Sequence, residues 1–383
     1  MPAQAIISNR KGDLNMDSKI SSWNAVLLVV NSILPTAFII LPPIVVTYLD
    51  QDSPWSILFA YAVGIGMTAM IGVIIKHNNG TPFLEWVSTV SSPVVSTLLG
   101  LILLQYYLDA SSSVLREFIN FLKDTVLFHT PVLLLIVISL LITAYMVRQG
   151  ITTLSQVNSL VFLLYFIVLP VYWFGLKNYL DIHRLLPVFE HSYREFLLGS
   201  ITPVTWFSEV AILLFLAPYL KDPKHAGRIG RRALLIITIL LTINLSEMLM
   251  IFGSNYVKAS SYPGFISISV VHIGNFLENL DIFFIAYWML SIYFKLGIFL
   301  FVTLECFKQT FRVKEIEPYL VGILMVICAE CLYTWKDPSK LTALNAQGRF
   351  PIMMLVNLLL PTLIYLYSLI ASKMKTKRKE TPS

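Results

Sequence analysis

Residues 23–48 read WNAVLLVVNSILPTAFIILPPIVVTY, a stretch with no charged side chain and three prolines. Nothing in water would cover so long an apolar run, so it is a membrane span. A run of ~25 residues at 1.5 Å rise reaches ~37 Å, more than a ~30 Å hydrocarbon core requires. Length is therefore available for an unwound segment at Pro35, which brings no N–H and stands beside Asn31, Ser32 and Thr36. Pro35 either unwinds the helix or merely kinks it, and spacing alone leaves both open.

Outward from this stretch, apolar runs of spanning length fall at 24–48, 55–75, 93–115, 131–147, 155–176, 196–220, 233–253, 282–304, 317–335 and 350–372. They predict an all-α, polytopic membrane protein of ten transmembrane helices. Two shorter stretches, 82–92 and 266–280, are interrupted by Glu85, His272 and Glu278, with Asp281 just beyond the second, and read as interfacial or re-entrant helices. The composition agrees, with 56% hydrophobic and only 13% charged residues over 383 positions and a mean hydropathy of +0.74. Those values exclude a soluble enzyme or a disordered regulator.

A net charge of +6 marks topology in such a chain, not nucleic acid. With the N-terminus inside, 18 of the 28 Lys and Arg fall on the inner side and 9 on the outer, with Lys295 left within a span. Both termini are expected in the cytoplasm. The densest basic segments, Lys221 to Arg232 and Lys373 to Lys379, would then face anionic lipid. Residues 1–22 form a polar tail with no cleavable signal, and Met16 offers a second start. One transmembrane domain covers 23–372, and a basic tail covers 373–383.

The sixth run repeats the pattern of the first, with Pro203 inside, Pro218 near its end, and Thr202, Thr205, Ser208 and Glu209 between them. Runs one and six are matching members of two five-helix halves, 23–176 and 196–372. Interrupted helices at matching positions point to a midplane binding site in an inverted-repeat transporter fold. Half-helix N-termini suit a carboxylate and unwound carbonyls suit an ammonium, so a zwitterionic amino acid fits both. Ionisable residues within spans are Asp109, Glu209, Glu247, Lys295 and Glu330. Glu209 falls inside the proposed break; Asp109, near Gln105 and Tyr106, suits site and scaffold equally; Lys295 suits pairing with one of the carboxylates. Glu247 and Glu330 lie toward span ends, within reach of headgroups. Trp23, Trp55, Trp173, Tyr219 and Trp335 fit an interfacial belt, and Cys306, Cys328 and Cys331 read as small buried hydrophobes. No metal, cofactor or catalytic motif occurs.

Several segments resemble the spore germination receptor B subunits, the GerAB family. They are Lys19-Ile20-Ser21, Leu41-Pro42, Asp52-Ser53-Pro54-Trp55, Phe207-Ser208-Glu209, Tyr262-Pro263, and His272 to Glu278 with Asp281 and Trp288. The likeness runs from Lys19 to Ala371. It implies an amino acid–polyamine–organocation (LeuT-like) fold of ten helices in a 5+5 inverted repeat, placed in the endospore inner membrane. It also implies assembly with A and C subunits and the sensing of a small germinant. The family's Gly-rich break falls on Pro35-Thr36-Ala37, and its Phe-Gly-Glu on Phe207-Ser208-Glu209. Pro35, Ala37 and Ser208 stand where glycines are common, so backbone approach to the ligand is less close here. Glu278-Asn279 replaces the usual Glu-Arg.

The function expected is therefore a non-enzymatic receptor subunit that needs no cofactor, metal or nucleic acid. It binds an amino acid or similar germinant at Asn31, Pro35, Thr36, Ala37, Tyr106, Asp109, Val204, Thr205, Phe207, Ser208, Glu209 and Ser291. The alternative is a proton- or sodium-coupled amino acid transporter using the same site. Proton-coupled relatives of the superfamily often carry a Lys in span five, where Gln156 and Asn158 are the clear polar candidates at the start of the span in this chain, an absence that favours sensing over transport.

Overall fold

A computed structural model of the chain describes residues 19–269 and 280–380, which are nearly all helical. The expectations placed on residues 1–18, on His272 to Glu278, on the side chains of Trp173 and Asp281, and on the basic side chains from Lys373 onward lie outside the described residues.

Helix α1 spans Ser22–Leu49 and opens at Ser21, whose side chain accepts the N–H of Asn24 at 3.2 Å. It runs unbroken through Pro35, Pro42 and Pro43, so the unwinding weighed for Pro35 does not occur. One proline removes one donor, and helices packed on several sides hold the remaining ladder in place. The chain turns at Asp50 (φ 42) into α2, Ser53–His77. A short helix, α3 (Phe83–Val90), follows where an interfacial segment was expected, with Phe83, Leu84, Trp86 and Val87 buried. Then come α4 (Pro93–Thr125), α5 (Val132–Arg148) and α6 (Ile151–Leu176).

The sixth span begins as α7, Tyr193–Phe207, under a Ser192/Glu195 capping box. It leaves α geometry at Ser208, beyond Pro203, tightening to a 3-10 turn over Ser208–Ile212. The helix α8 (Leu213–Leu216) and a second 3-10 turn, Ala217–Tyr219, complete it. Next are α9 (Ala226–Phe252), α10 (Ser254–Ala259), α11 (Pro263–Ser269), α12 (Leu280–Phe311) and α13 (Glu317–Ala329). The last part alternates α14 (Pro338–Ala343), a π-helical turn at Leu344–Gly348, α15 (Phe350–Met354), another at Leu355–Leu359, and α16 (Leu360–Glu380).

Seven helical stretches among the described residues are long and apolar enough to cross a membrane, and α5 with α6, bent by 113° at their junction, adds an eighth. The protein is a multi-pass membrane protein. Its outer helices carry large exposed apolar side chains such as Leu98, Leu101, Leu134 and Leu141, which lipid covers at no cost. Helix α1 is the axis, buried along most of its length and packed against α6, α7, α9 and α12. Helices α2 and α9 meet backbone to backbone: a Cβ on Gly72 would stand 2.7 Å from the Cα of Gly227. At one end of the bundle, Ile20 donates to Tyr219 O (2.8 Å) and accepts from Lys221 N (3.0 Å), while Lys19 Nζ donates to Pro218 O at 2.7 Å. The start of the described chain and the start of the basic Lys221 loop thus share one end.

Four expectations need correction. Helix α4 extends to Thr125, not 115, because Arg116 and Glu117, which hydropathy takes for an end, are turned into the bundle and held there. Arg116 Nη1 and Nη2 donate to Cys331 O (3.3 Å) and Lys336 O (3.2 Å), and Glu117 accepts from Asn345 Nδ2 at 2.8 Å. Glu247 is buried and accepts a hydrogen bond from Tyr172, so it does not reach toward headgroups. Glu330 turns inward, accepting from Gln105 Nε2 (3.1 Å) and Ser112 Oγ (3.0 Å). Trp335 is buried with its indole N–H on Ser112 Oγ at 3.1 Å, whereas Trp23 and Trp55 are exposed as a belt requires.

Candidate functional site

The site is built where α1, the turn after α7, and α12 converge. Thr36 faces inward because Pro35 and Thr36 lie in the buried middle of α1. The Trp288 indole on α12 donates to Pro35 O at 2.8 Å and fixes the two helices against each other. Two turns along α12, Lys295 is enclosed, with a side chain only 1% exposed. Its ammonium donates to Thr36 Oγ1 at 2.8 Å and to Glu209 Oε2 at 3.1 Å. The Phe299 ring, with its centroid 5.0 Å from Nζ, presents its face to the same charge.

Glu209 owes its place to the 3-10 turn, which rotates it relative to where a continued α-helix would put it. Ser208, beside it, donates to Thr205 O at 2.6 Å and accepts from Asn357 Nδ2 at 3.1 Å. Asn357 also donates to the Tyr106 hydroxyl at 3.2 Å, which brings α4 into the network. Thr36, Lys295, Glu209, Ser208, Asn357 and Tyr106 therefore form one polar seam through an apolar bundle. A buried ion pair of this kind adds little net stability, since desolvation offsets most of the attraction. Any ligand that offers a carboxylate to the lysine and an ammonium to the glutamate can exchange partners with it.

Of the expected residues, the structure brings Thr36, Tyr106, Ser208 and Glu209 into this seam, with Pro35 tied in through its carbonyl. Ala37, Val204 and Phe207 are buried apolar packing close by in sequence, Thr205 donates back to Ile201 O at 2.7 Å, and Ser291 is buried one turn before Lys295. Asn31 is engaged elsewhere, with its Nδ2 on Asn158 Oδ1 of α6. Asp109 is half-buried on α4, and its side chain has no hydrogen bond or ion pair among the described residues. Lys295, Trp288 and Asn357 were absent from the expected set. Asn357 carried a signal, a lone amide inside the apolar run 352–360. No group of three or more His, Cys, Asp or Glu among the described residues is arranged to hold a metal ion.

A family model described as spore germination protein matches residues 19–339. Similar proteins include spore germination protein KB of Bacillus subtilis (strain 168), 21% identical over 337 residues that cover 86% of this chain and 89% of that one. Spore germination protein XB of Bacillus anthracis is 24% identical over 333 residues, covering 83% and 91%. Spore germination protein B2 of Bacillus subtilis (strain 168) is 26% identical over 275 residues, covering 68% and 72%. Among solved structures, a mutant of the Eremococcus coleocola manganese transporter superposes with a TM-score of 0.53 at 13% identity, covering 91% of this chain and 77% of that one. The same transporter bound to an aromatic bis-isothiourea compound gives 0.51 at 12% identity, covering 94% and 82%. The likeness is one of fold.

Proposed function

Given that the chain belongs to the family of spore germination proteins, we propose that it is the membrane subunit of a germinant receptor that senses a small amino-acid-like molecule and relays the signal to A and C subunits. The observation that carries this reading is the Lys295 ammonium shared between Thr36 and Glu209, an ion pair linking three helices at the core of a transporter-like fold. A zwitterion inserted there exchanges one ion pair for two. Helices α1, α7 and α12 then repack, and the change favours one arrangement by the ligand's differential affinity for it. No enzymatic step is involved. The seat is the endospore inner membrane, with both termini cytoplasmic.

The finer architecture belongs to the same proposal. Dividing the stretch Ser22–His77 at Asp50 and counting α5 and α6 separately gives ten spans, in repeats 23–176 and 196–372. The pairing of α1 with α7 and of α2 with α9 supports this, since these are matching members of the two halves.

The test is the germinant dose response of spores carrying Ala37→Leu or Ser208→Leu. Overpacking a confined site costs about 1–3 kcal/mol, or ~5–150-fold in the concentration needed, with the protein still accumulating. An unchanged dose response in both would move the ligand away from this seam. The second reading, a coupled amino acid transporter, is favoured only by the fold shared with a manganese transporter. Concentrative uptake of labelled amino acids by proteoliposomes holding this chain alone would establish it.

A further inference from the structure

Beyond the central seam, a cavity of about 510 Å³ opens between the C-terminal half of α1, the end of α4, residues 258–262 and residues 338–346. Its volume lies within the ~300–1,000 Å³ usual for small-molecule sites. The cavity is rich in acceptors. Glu117 and Asp124, seven residues and two turns apart on α4, both line it. Asp124 Oδ2 is held by the Tyr262 hydroxyl at 2.9 Å. Glu117 uses one oxygen, Oε1, for Asn345 Nδ2 at 2.8 Å, and its Oε2 has no hydrogen bond among the described residues.

Asn345 adds an unmet acceptor to this wall. It lines the cavity, is 4% exposed, and its Oδ1 is buried without a hydrogen-bond partner. Its orientation is fixed, because the amide nitrogen must face the carboxylate of Glu117. A buried acceptor left open is costly unless something that donates completes it. Ser260 Oγ, also on the lining, is likewise buried and unpartnered.

Of the two cations nearby, one is committed elsewhere and the other reaches Glu117 by charge alone. Lys258, the only lining residue with a positive charge, is turned to Asp50 at 2.6 Å. Arg349 stands behind Glu117 with Nη2 4.0 Å from Oε1, too far for a hydrogen bond, and its Nε and Nη2 are unpartnered. Two carboxylates, an open amide oxygen and an open hydroxyl thus line a space whose one lining cation is committed to Asp50. An alkylammonium group offers such a wall three donors together with a positive charge.

We propose that this cavity is a second binding site, which takes the primary ammonium group of a small amine or amino acid on Glu117 and Asn345. The site goes beyond the Lys295–Glu209 seam and stands without it. The two are nonetheless close: Glu117 lies within electrostatic range of Lys295 and Glu209, so an ammonium docked in the cavity alters the field at the seam.

The experiment is a thermal-shift and calorimetric titration of the purified full chain in nanodiscs. The probes are the standard amino acids, their decarboxylated amines, their des-amino acids and potassium chloride. The expected result is binding by at least one amino acid or amine and by no des-amino acid, weakened about tenfold or more in Glu117→Gln and Asn345→Leu. Asn345→Leu removes no charge, and it carries the test if Glu117→Gln does not fold. The proposal is overturned if no amino compound binds, if both variants bind as the parent does, or if potassium chloride produces the same response as the amines. Spores with Glu209→Gln separate this site from the seam. A normal germinant response there, with amine binding lost in Asn345→Leu, removes the seam reading and keeps the cavity. The reverse pair of results keeps the seam and removes the cavity.

Discussion

Lys295 is the residue on which the bundle's interior charge turns, since a single ammonium holds α1 through Thr36 and the sixth span through Glu209. Removing one partner leaves the other charged and buried, which costs about 3–5 kcal/mol, whereas replacing both with apolar residues of similar volume is far milder. Lys295→Met should therefore lower the thermal midpoint of the purified protein strongly, and Lys295→Met with Glu209→Leu should recover most of the loss. A double variant as unstable as the single one would mean that the pair is not coupled. The sequence marked Lys295 and Glu209 as buried charges but did not pair them, because pairing depends on how the 3-10 turn at Ser208 rotates Glu209. Glu117 and Arg349 escaped notice for a different reason. Charge at the end of an apolar run reads as a membrane boundary, and only the packing of residues 331–349 against α4 shows those side chains enclosed.

At the scale of elements, the contact between α2 and α9 brings backbone against backbone, with Gly72 and Gly227 face to face, Gly64 against Leu234 and Gly230 against Thr68. Without a hydrophobic force between helices in lipid, such close packing is what holds them. Gly72→Leu should separate the pair and sharply reduce the protein accumulated in the membrane. Gly66→Leu, on the same helix but with open space around it, should leave accumulation near the parent level. Quantitative blotting of membranes decides between them, and equal loss in both would contradict the packing account, since Leu has the higher helix propensity at either position. The apolar spans themselves were legible from hydropathy, but not all their ends, since α4 runs to Thr125 and α12 to Phe311. Their continuity was not: α1 survives Pro35 because neighbours hold it, while the sixth span departs from α geometry at Ser208, where no proline stands. Proline content marks where a helix can yield, and tertiary contacts decide whether it does.

For the molecule as a whole, a likeness in fold to a manganese transporter combines with membership of a spore germination family. The apolar runs made the multi-pass architecture readable, because a spanning helix must satisfy its backbone within itself and so declares its length in sequence. The polar seam was only half readable, since residues from α1, α4, the sixth span, α12 and the Leu355–Leu359 turn meet there from distant parts of the chain. The central claim is that this seam senses the ligand. It is tested most directly by Glu209→Gln, which keeps the size of the side chain and removes its charge. The measurement is the germinant dose response of spores, set against the amount of this protein in their membranes. The account predicts a response impaired well beyond any fall in abundance; a parental dose response at parental abundance would contradict it.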